Sequence, residues 1–319
     1  MVHRPSRLRR KGIAPLVRET SLHLEDLICP LFVDENLERP TNIASLPEFD
    51  RHTVESAVHE AGTVADLGIP AILLFGVPRH KDETGSASLS GVVQDTISEI
   101  KRQVPGVTII ADVCLCEYTS HGHCGVVDEK GVIMDEPTLE MLKQIAVTYA
   151  EAGVDVVAPS GMIDGMVAAI RAGLDEGGFK HTPIMSYAVK YCSNFYEPFR
   201  DAVDSSCAFV DRSQHQMDPA NTDEAIREVR LDVREGADII MIKPALPYLD
   251  IIYRIKQTFT VPIAAYSVSG EYIMLHGAIT NSSLRPDVIN EVLLSIRRAG
   301  ADMIVTYFAK EAARHLRQA

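Results

Sequence analysis

The chain has 319 residues, 46% of them hydrophobic and 24% charged, with a formal net charge of −13. No uncharged apolar stretch reaches the roughly 18 residues that a membrane-spanning helix needs. The acidic balance also argues against a nucleic-acid binder, whose affinity for phosphate rests on cations. A globular, cytoplasmic protein with a sizeable core is the class that remains. The charge is uneven: residues 1–20 carry a local excess of +5, leaving −18 on the rest. No apolar run follows this basic start, so it is no secretory signal. Residues 1–25 are expected to form an arm that packs on a neighbouring subunit, the alternative being an Arg-rich mitochondrial presequence.

From residue 26 onward, short apolar runs recur: Leu27–Val33, Ala71–Val77, Val107–Val113, Val154–Ala158, Pro183–Val189, Asp238–Ile242, Pro262–Val268 and Met303–Phe308. Nearly continuous Val, Ile, Leu and Ala is the composition of strands covered on both faces. Between them, apolar residues spaced by three and four predict helices at Thr53–Leu67, Val92–Val104, Leu139–Ala152, Asp164–Leu174, Thr222–Glu235, Leu249–Thr258 and Asp287–Ala299. Four joints repeat a glycine at the helix end, at Gly68, Gly153, Gly236 and Gly300, followed at once by a strand. Eight such units in one domain, 26–319, predict an α/β fold of the (β/α)₈ TIM-barrel type. An open doubly wound sheet is the runner-up. Connections at about 78–91 and 191–220 exceed simple turns. The aromatic and basic content of the second suits an active-site lid.

In such a barrel the chemistry sits at the C-terminal ends of the strands and in the loops that follow. Those positions hold Asp112, Cys114 and Cys116 (third strand), Ser160 (fourth), Lys190 (fifth), Lys243 (sixth), Ser269 (seventh) and Tyr307, placed within the eighth near its end. Two lysines on adjacent buried strands disfavour each other's ammonium form, leaving free amines suited to Schiff bases with a carbonyl substrate. The competing expectation is that each pairs with a carboxylate or reaches out of the mouth. Of six cysteines (with Cys29, Cys192 and Cys207), Cys114, Cys116 and Cys124 form a Cys-x-Cys-x₇-Cys. Three thiolates so placed suit Zn²⁺ with an open position. His121 or His123 as a fourth ligand would close it, and buried free thiols are the metal-free alternative. Asp112 is positioned to pass protons or orient a water. Arg200 and Arg212 in the lid suit a bidentate carboxylate clamp, and Ser269 and Tyr307 a second carboxylate site.

The segments Asp112–Gly125, Met185–Lys190, Asn194–Arg200, Met241–Pro244 and Ala265–Tyr272 resemble the porphobilinogen synthase (5-aminolevulinate dehydratase) family, and the likeness runs from about Arg4 to Ala309. That resemblance implies condensation of two 5-aminolevulinate molecules to porphobilinogen, with loss of two waters, in tetrapyrrole (heme) biosynthesis. It further implies Lys190 and Lys243 as Schiff-base lysines, and Arg200 with Arg212 on one substrate carboxylate. Ser269 with Tyr307 would hold the other, Ser160 would join the substrate site, and Cys114, Cys116 and Cys124 would bind catalytic zinc. Glu228 resembles the ligand of an allosteric magnesium, and the arm that of a homo-octamer. Two other readings compete. A class I aldolase-type lyase needs only one such lysine, and a zinc-stabilised scaffold needs none.

Overall fold

The computed structural model describes residues 4–205 and 212–318. Eight parallel strands run β1 (Leu27–Asp34), β2 (Ala71–Val77), β3 (Thr108–Val113), β4 (Val156–Pro159), β5 (Met185–Lys190), β6 (Ile239–Lys243), β7 (Ile263–Ser267) and β8 (Met303–Thr306). They pair in the order β4-β3-β2-β1-β8-β7-β6-β5. The ring closes where β4 meets β5 in the Val157–Ile184 bridge, the Val157 N–H donating to Pro183 O at 3.1 Å. This is the expected (β/α)₈ barrel, and closure overturns the open doubly wound sheet.

All eight residues of β1 and all seven of β2 are buried, which is why these runs lack polar alternation. Several strands start later than their apolar runs. Pro183 and Pro262 have no N–H to give the ladder, and the residues after each glycine joint serve a different purpose. The Gly-x-Asp joints place a carboxylate against the neighbouring strand. Asp155 accepts from Ile109 N (2.8 Å), Asp238 from Ile184 N (2.9 Å) and Asp302 from Ile263 N (3.0 Å). Each satisfies an N–H at the strand's start, where the ladder supplies no partner. The repeated sequence is thus a repeated hydrogen bond.

β5 carries an irregularity that matters for the site. Its pairing with β6 runs Met185 with Ile239 and Ser186 with Ile240, then shifts so that Val189 meets Ile242 and Lys190 meets Lys243. One extra β5 residue is absorbed between Ser186 and Val189, a bulge.

Other differences lie in the connections. The helix expected from Leu139 begins at Asp135, and helices Ser269–Thr280 and Ala309–Leu316 were not foreseen. The 191–220 segment contains a helix, Glu197–Ala202, with 206–211, including Cys207, outside the described residues. Tyr307 stands one residue beyond β8, not within it. Two 3₁₀ turns, Pro5–Arg9 and Ala14–Val17, make up much of the N-terminal segment, and neither has a buried residue. Among the described residues no helix is long and apolar enough to cross a membrane.

Candidate active site

Lys190 and Lys243 end neighbouring strands in direct register and are only 4% and 3% exposed. Neither ammonium reaches solvent. Lys190 Nζ donates to the carbonyl of Ser160 at 2.6 Å. Lys243 Nζ lies over four rings, 4.4 Å from the centroid of Tyr266, 4.6 Å from Phe199, and 5.2 Å from both Tyr187 and Tyr196. Aromatic faces favour the cation, but burial, and after it the charge of Lys190, pulls Lys243 down to about 7. Burial and the neighbouring charge thus favour its free amine near neutrality. No carboxylate forms an ion pair with either lysine among the described residues, so the expectation of a structural salt bridge fails.

Asp112 lies at the same mouth. Its Oδ2 accepts the Ser160 hydroxyl at 2.9 Å, while Oδ1 is buried with no hydrogen-bond partner among the described residues. Burial lifts its carboxyl to about 6, with the two lysines pulling the other way. Ser160 spends its hydroxyl on Asp112 and its carbonyl on Lys190, tying the carboxylate to the amine.

The cysteine loop turns tightly after β3. Tyr118 N and Thr119 N both bond Leu115 O at 2.9 Å, and Thr119 Oγ1 reaches His123 O at 3.0 Å, which brings Cys124 back over Cys114 and Cys116. The three sulfurs lie within 4.8 Å of one another, all buried, and Cys114 Sγ is 3.3 Å from Cys116 Sγ. Hydrogen bonds from Cys114 and Cys116 hold the Cys124 thiol well below its ordinary range, whereas the same sharing pushes Cys114 well up. Among the described residues these cysteines are the one compact group of three potential metal ligands. Neither histidine joins them. His121 uses Nδ1 to accept from His123 N and sets Nε2 3.2 Å from Glu83 O, while both His123 ring nitrogens are buried without a hydrogen-bond partner among the described residues.

The residues expected to bind carboxylates come from the 191–220 segment (Arg200, Arg212), the start of the helix after β7 (Ser269) and the residue after β8 (Tyr307). Arg212 is buried and its Nη2 donates to the carbonyls of Gly122 (3.1 Å) and Ser205 (2.7 Å), which locks it onto the cysteine loop. Arg200 pairs with Glu197, and its buried Nε has no hydrogen-bond partner among the described residues. Ser269 Oγ accepts from Phe199 N at 3.0 Å, so it holds helix Glu197–Ala202, and the Tyr307 hydroxyl is 3.3 Å from that of Tyr266.

Glu228 stands on a different element. It lies on helix Asp223–Glu235, half-buried, beside a cavity of about 410 Å³ whose walls include Asp164, Glu224 and His215. Burial raises its pKa, with Asp164 and Glu224 adding to the rise. One turn on, Asp232 accepts the Ser186 hydroxyl at 2.5 Å. Burial pushes its carboxyl up to about 7 against that hydrogen bond, helped by Glu235 and Glu228. A native pKa above the unfolded value of about 3.9 means the native state holds the proton more tightly between those limits. Stability therefore falls as pH rises through that window and is lowest above it. In metal-free buffer, Asp232→Asn is expected to raise the melting temperature at pH 8 by about 2–4 °C, about 1 kcal/mol after discounting for partial exposure. The wild-type decline between pH 5 and 8 should flatten. An unchanged slope on thermal melts disproves the assignment.

The residues that sequence reading passed over are Tyr187 and Tyr266 of the aromatic box and the buried carboxylate Glu271. All three stood inside quoted motifs, but only the closed barrel shows what their side chains face.

A family model described as delta-aminolevulinic acid dehydratase matches residues 2–315. The chain is 52% identical over 315 residues to the delta-aminolevulinic acid dehydratase of Archaeoglobus fulgidus, covering 98% of both chains. It is 48% identical over 318 residues to that of Bacillus subtilis, again covering 98% of both. Among solved structures it is similar to the Toxoplasma gondii delta-aminolevulinic acid dehydratase (porphobilinogen synthase) in complex with the reaction product porphobilinogen. That match has a TM-score of 0.96 and 42% identity, covering 99% of this chain and 92% of the other. The chain belongs to the delta-aminolevulinic acid dehydratase family.

Proposed function

We propose that the barrel mouth condenses two 5-aminolevulinate molecules to porphobilinogen with loss of two waters, through imines on both Lys190 and Lys243. The observation that carries this is their direct register, both amines buried at one mouth. Each free amine adds to a ketone carbon and expels the oxygen as water. The resulting iminium makes that carbon electrophilic and the adjacent carbon acidic. Asp112, tied through Ser160 to Lys190, is placed to accept and return protons. Arg200 and Arg212 hold one substrate carboxylate, and Ser269 and Tyr307 the other, with Ser160 bordering the same space.

The three sulfurs fit a thiolate-bound Zn²⁺, being buried, mutually close and already depressed at Cys124. When bound there, zinc supplies Lewis acidity toward a substrate or water oxygen through an open position. Glu228 stands in an acidic patch whose mutual repulsion an allosteric Mg²⁺ would offset. The assembly is a cytoplasmic homo-octamer in which the basic arm, 1–25, packs on a neighbour, and residues 191–220 act as the lid. A one-lysine aldolase mechanism leaves Lys190 and the sulfurs without a purpose.

Borohydride reduction in the presence of 5-aminolevulinate, read by peptide mass, is expected to give adducts on both lysines. The Lys243 adduct should form more slowly as pH drops below about 7, because its ammonium cannot add to a ketone. One adduct alone points to an aldolase-type enzyme, and none overturns the proposal.

A further inference from the structure

We infer that Glu271 is a positioning residue for Lys243. It is 0% exposed and stands in the first turn of helix Ser269–Thr280, after β7. Its Oε1 accepts from the backbone N–H groups of Ala245 and Leu246, each at 3.0 Å. Those groups belong to the turn that follows β6, where the 3₁₀ turn Leu246–Tyr248 leads into helix Leu249–Thr258 and no backbone acceptor among the described residues reaches them. On the other side, the Lys243 carbonyl accepts from Tyr191 N and from the Tyr196 hydroxyl, both at 3.0 Å. The main chain around Lys243 is thus pinned from two directions, by the lid root and by Glu271.

The residues beside Glu271 serve the same junction. Ser269 Oγ accepts from Phe199 N, and a Cβ on Gly270 would sit 2.6 Å from Phe195 O. Three consecutive residues therefore hold the lid, admit the lid's backbone and fix the strand end that carries the reactive amine. A buried carboxylate is costly, and a well-packed apolar residue would stabilise the fold as well or better. What an apolar residue cannot do is bond two adjacent N–H groups across two barrel strands. Lys190 has a separate anchor, the Ser160 carbonyl. Loss of Glu271 should for that reason act on one lysine and spare the other.

This inference rests on imine formation at Lys243. Wild-type trapping tests that reading on its own, and the variants are scored against the wild-type adducts. With borohydride and 5-aminolevulinate, Glu271→Ala is expected to slow the Lys243 adduct by about 10- to 100-fold, the effect of misplacing a reacting group by about 1 Å. The Lys190 adduct should keep its wild-type rate. Glu271→Gln retains an acceptor oxygen and should recover most of the loss. Glu271→Asp, one methylene short, should not, and it provides the selective loss to be read if the alanine variant does not fold. Two results overturn the inference: both adducts at wild-type rates, or both slowed alike, which would mark Glu271 as structural only.

Discussion

Lys243→Ala is expected to lower turnover by about 10⁴-fold or more, the scale on which loss of a covalent nucleophile is felt, while the barrel still folds. The amine is the atom that becomes the imine nitrogen, and no neighbouring charge can replace a bond. The fold should survive because β6 keeps its ladder and the removed group is a lysine held against burial. Lys243→Arg sharpens the test. It restores a cation among the same four rings, but a guanidinium stays protonated and forms no imine. Lys190→Ala should be as damaging, and it also frees the Ser160 carbonyl. Steady-state kinetics beside far-ultraviolet dichroism reads both quantities. Near-normal turnover in either alanine variant, or recovery by arginine, rejects a mechanism of two imines.

The second large effect concerns the sulfurs. Chelation, thiol oxidation or Cys124→Ser is expected to abolish activity, and added Zn²⁺ should restore the chelated enzyme but not the variant. Because the ligands bind as thiolates, metal affinity should fall with falling pH. The three cysteines cluster apart from the main hydrophobic core, on a loop beyond the end of β3, so chelation should leave the melting transition in place. Full activity in metal-free protein would mean the cysteines are idle. Global unfolding on chelation would mean that they are structural.

The barrel was legible because strands buried on both faces leave an apolar run that few other elements produce, and because the Gly-x-Asp joint repeats a needed hydrogen bond. Helix Ser269–Thr280 escaped notice for a physical reason. Its residues, Ser-Gly-Glu-Tyr-Ile-Met-Leu-His-Gly-Ala-Ile-Thr, carry no one-sided apolar stripe. Its first turn is buried at the mouth, and Met274 on its outer side is exposed. The lysines and cysteines announced themselves as costly residue types in apolar surroundings. Tyr187, Tyr266 and Glu271 did not, since a tyrosine in a strand or a glutamate in a helix's first turn is ordinary until the opposite wall of the barrel is known. The spacing alone left a sulfur–histidine set open, and only the family resemblance named three sulfurs. The choice turns on which way the His121 and His123 rings face.

The bulge in β5 sets a constraint on how this site can change over evolutionary time. With the pairing offset seen at Ser186, Lys190 would stand opposite Pro244; the shift completed by Val189 puts it opposite Lys243 instead. Absorbing that one extra residue is what makes two amines neighbours. A single-codon insertion between those positions would carry Lys190 opposite Pro244 unless a second residue were absorbed, while leaving both lysines in the gene, whereas a single-codon deletion there would keep the lysines opposed and remove the bulge. Barrels with opposed and with offset amines can thus stand one indel apart. Substitution counts alone would misjudge that distance.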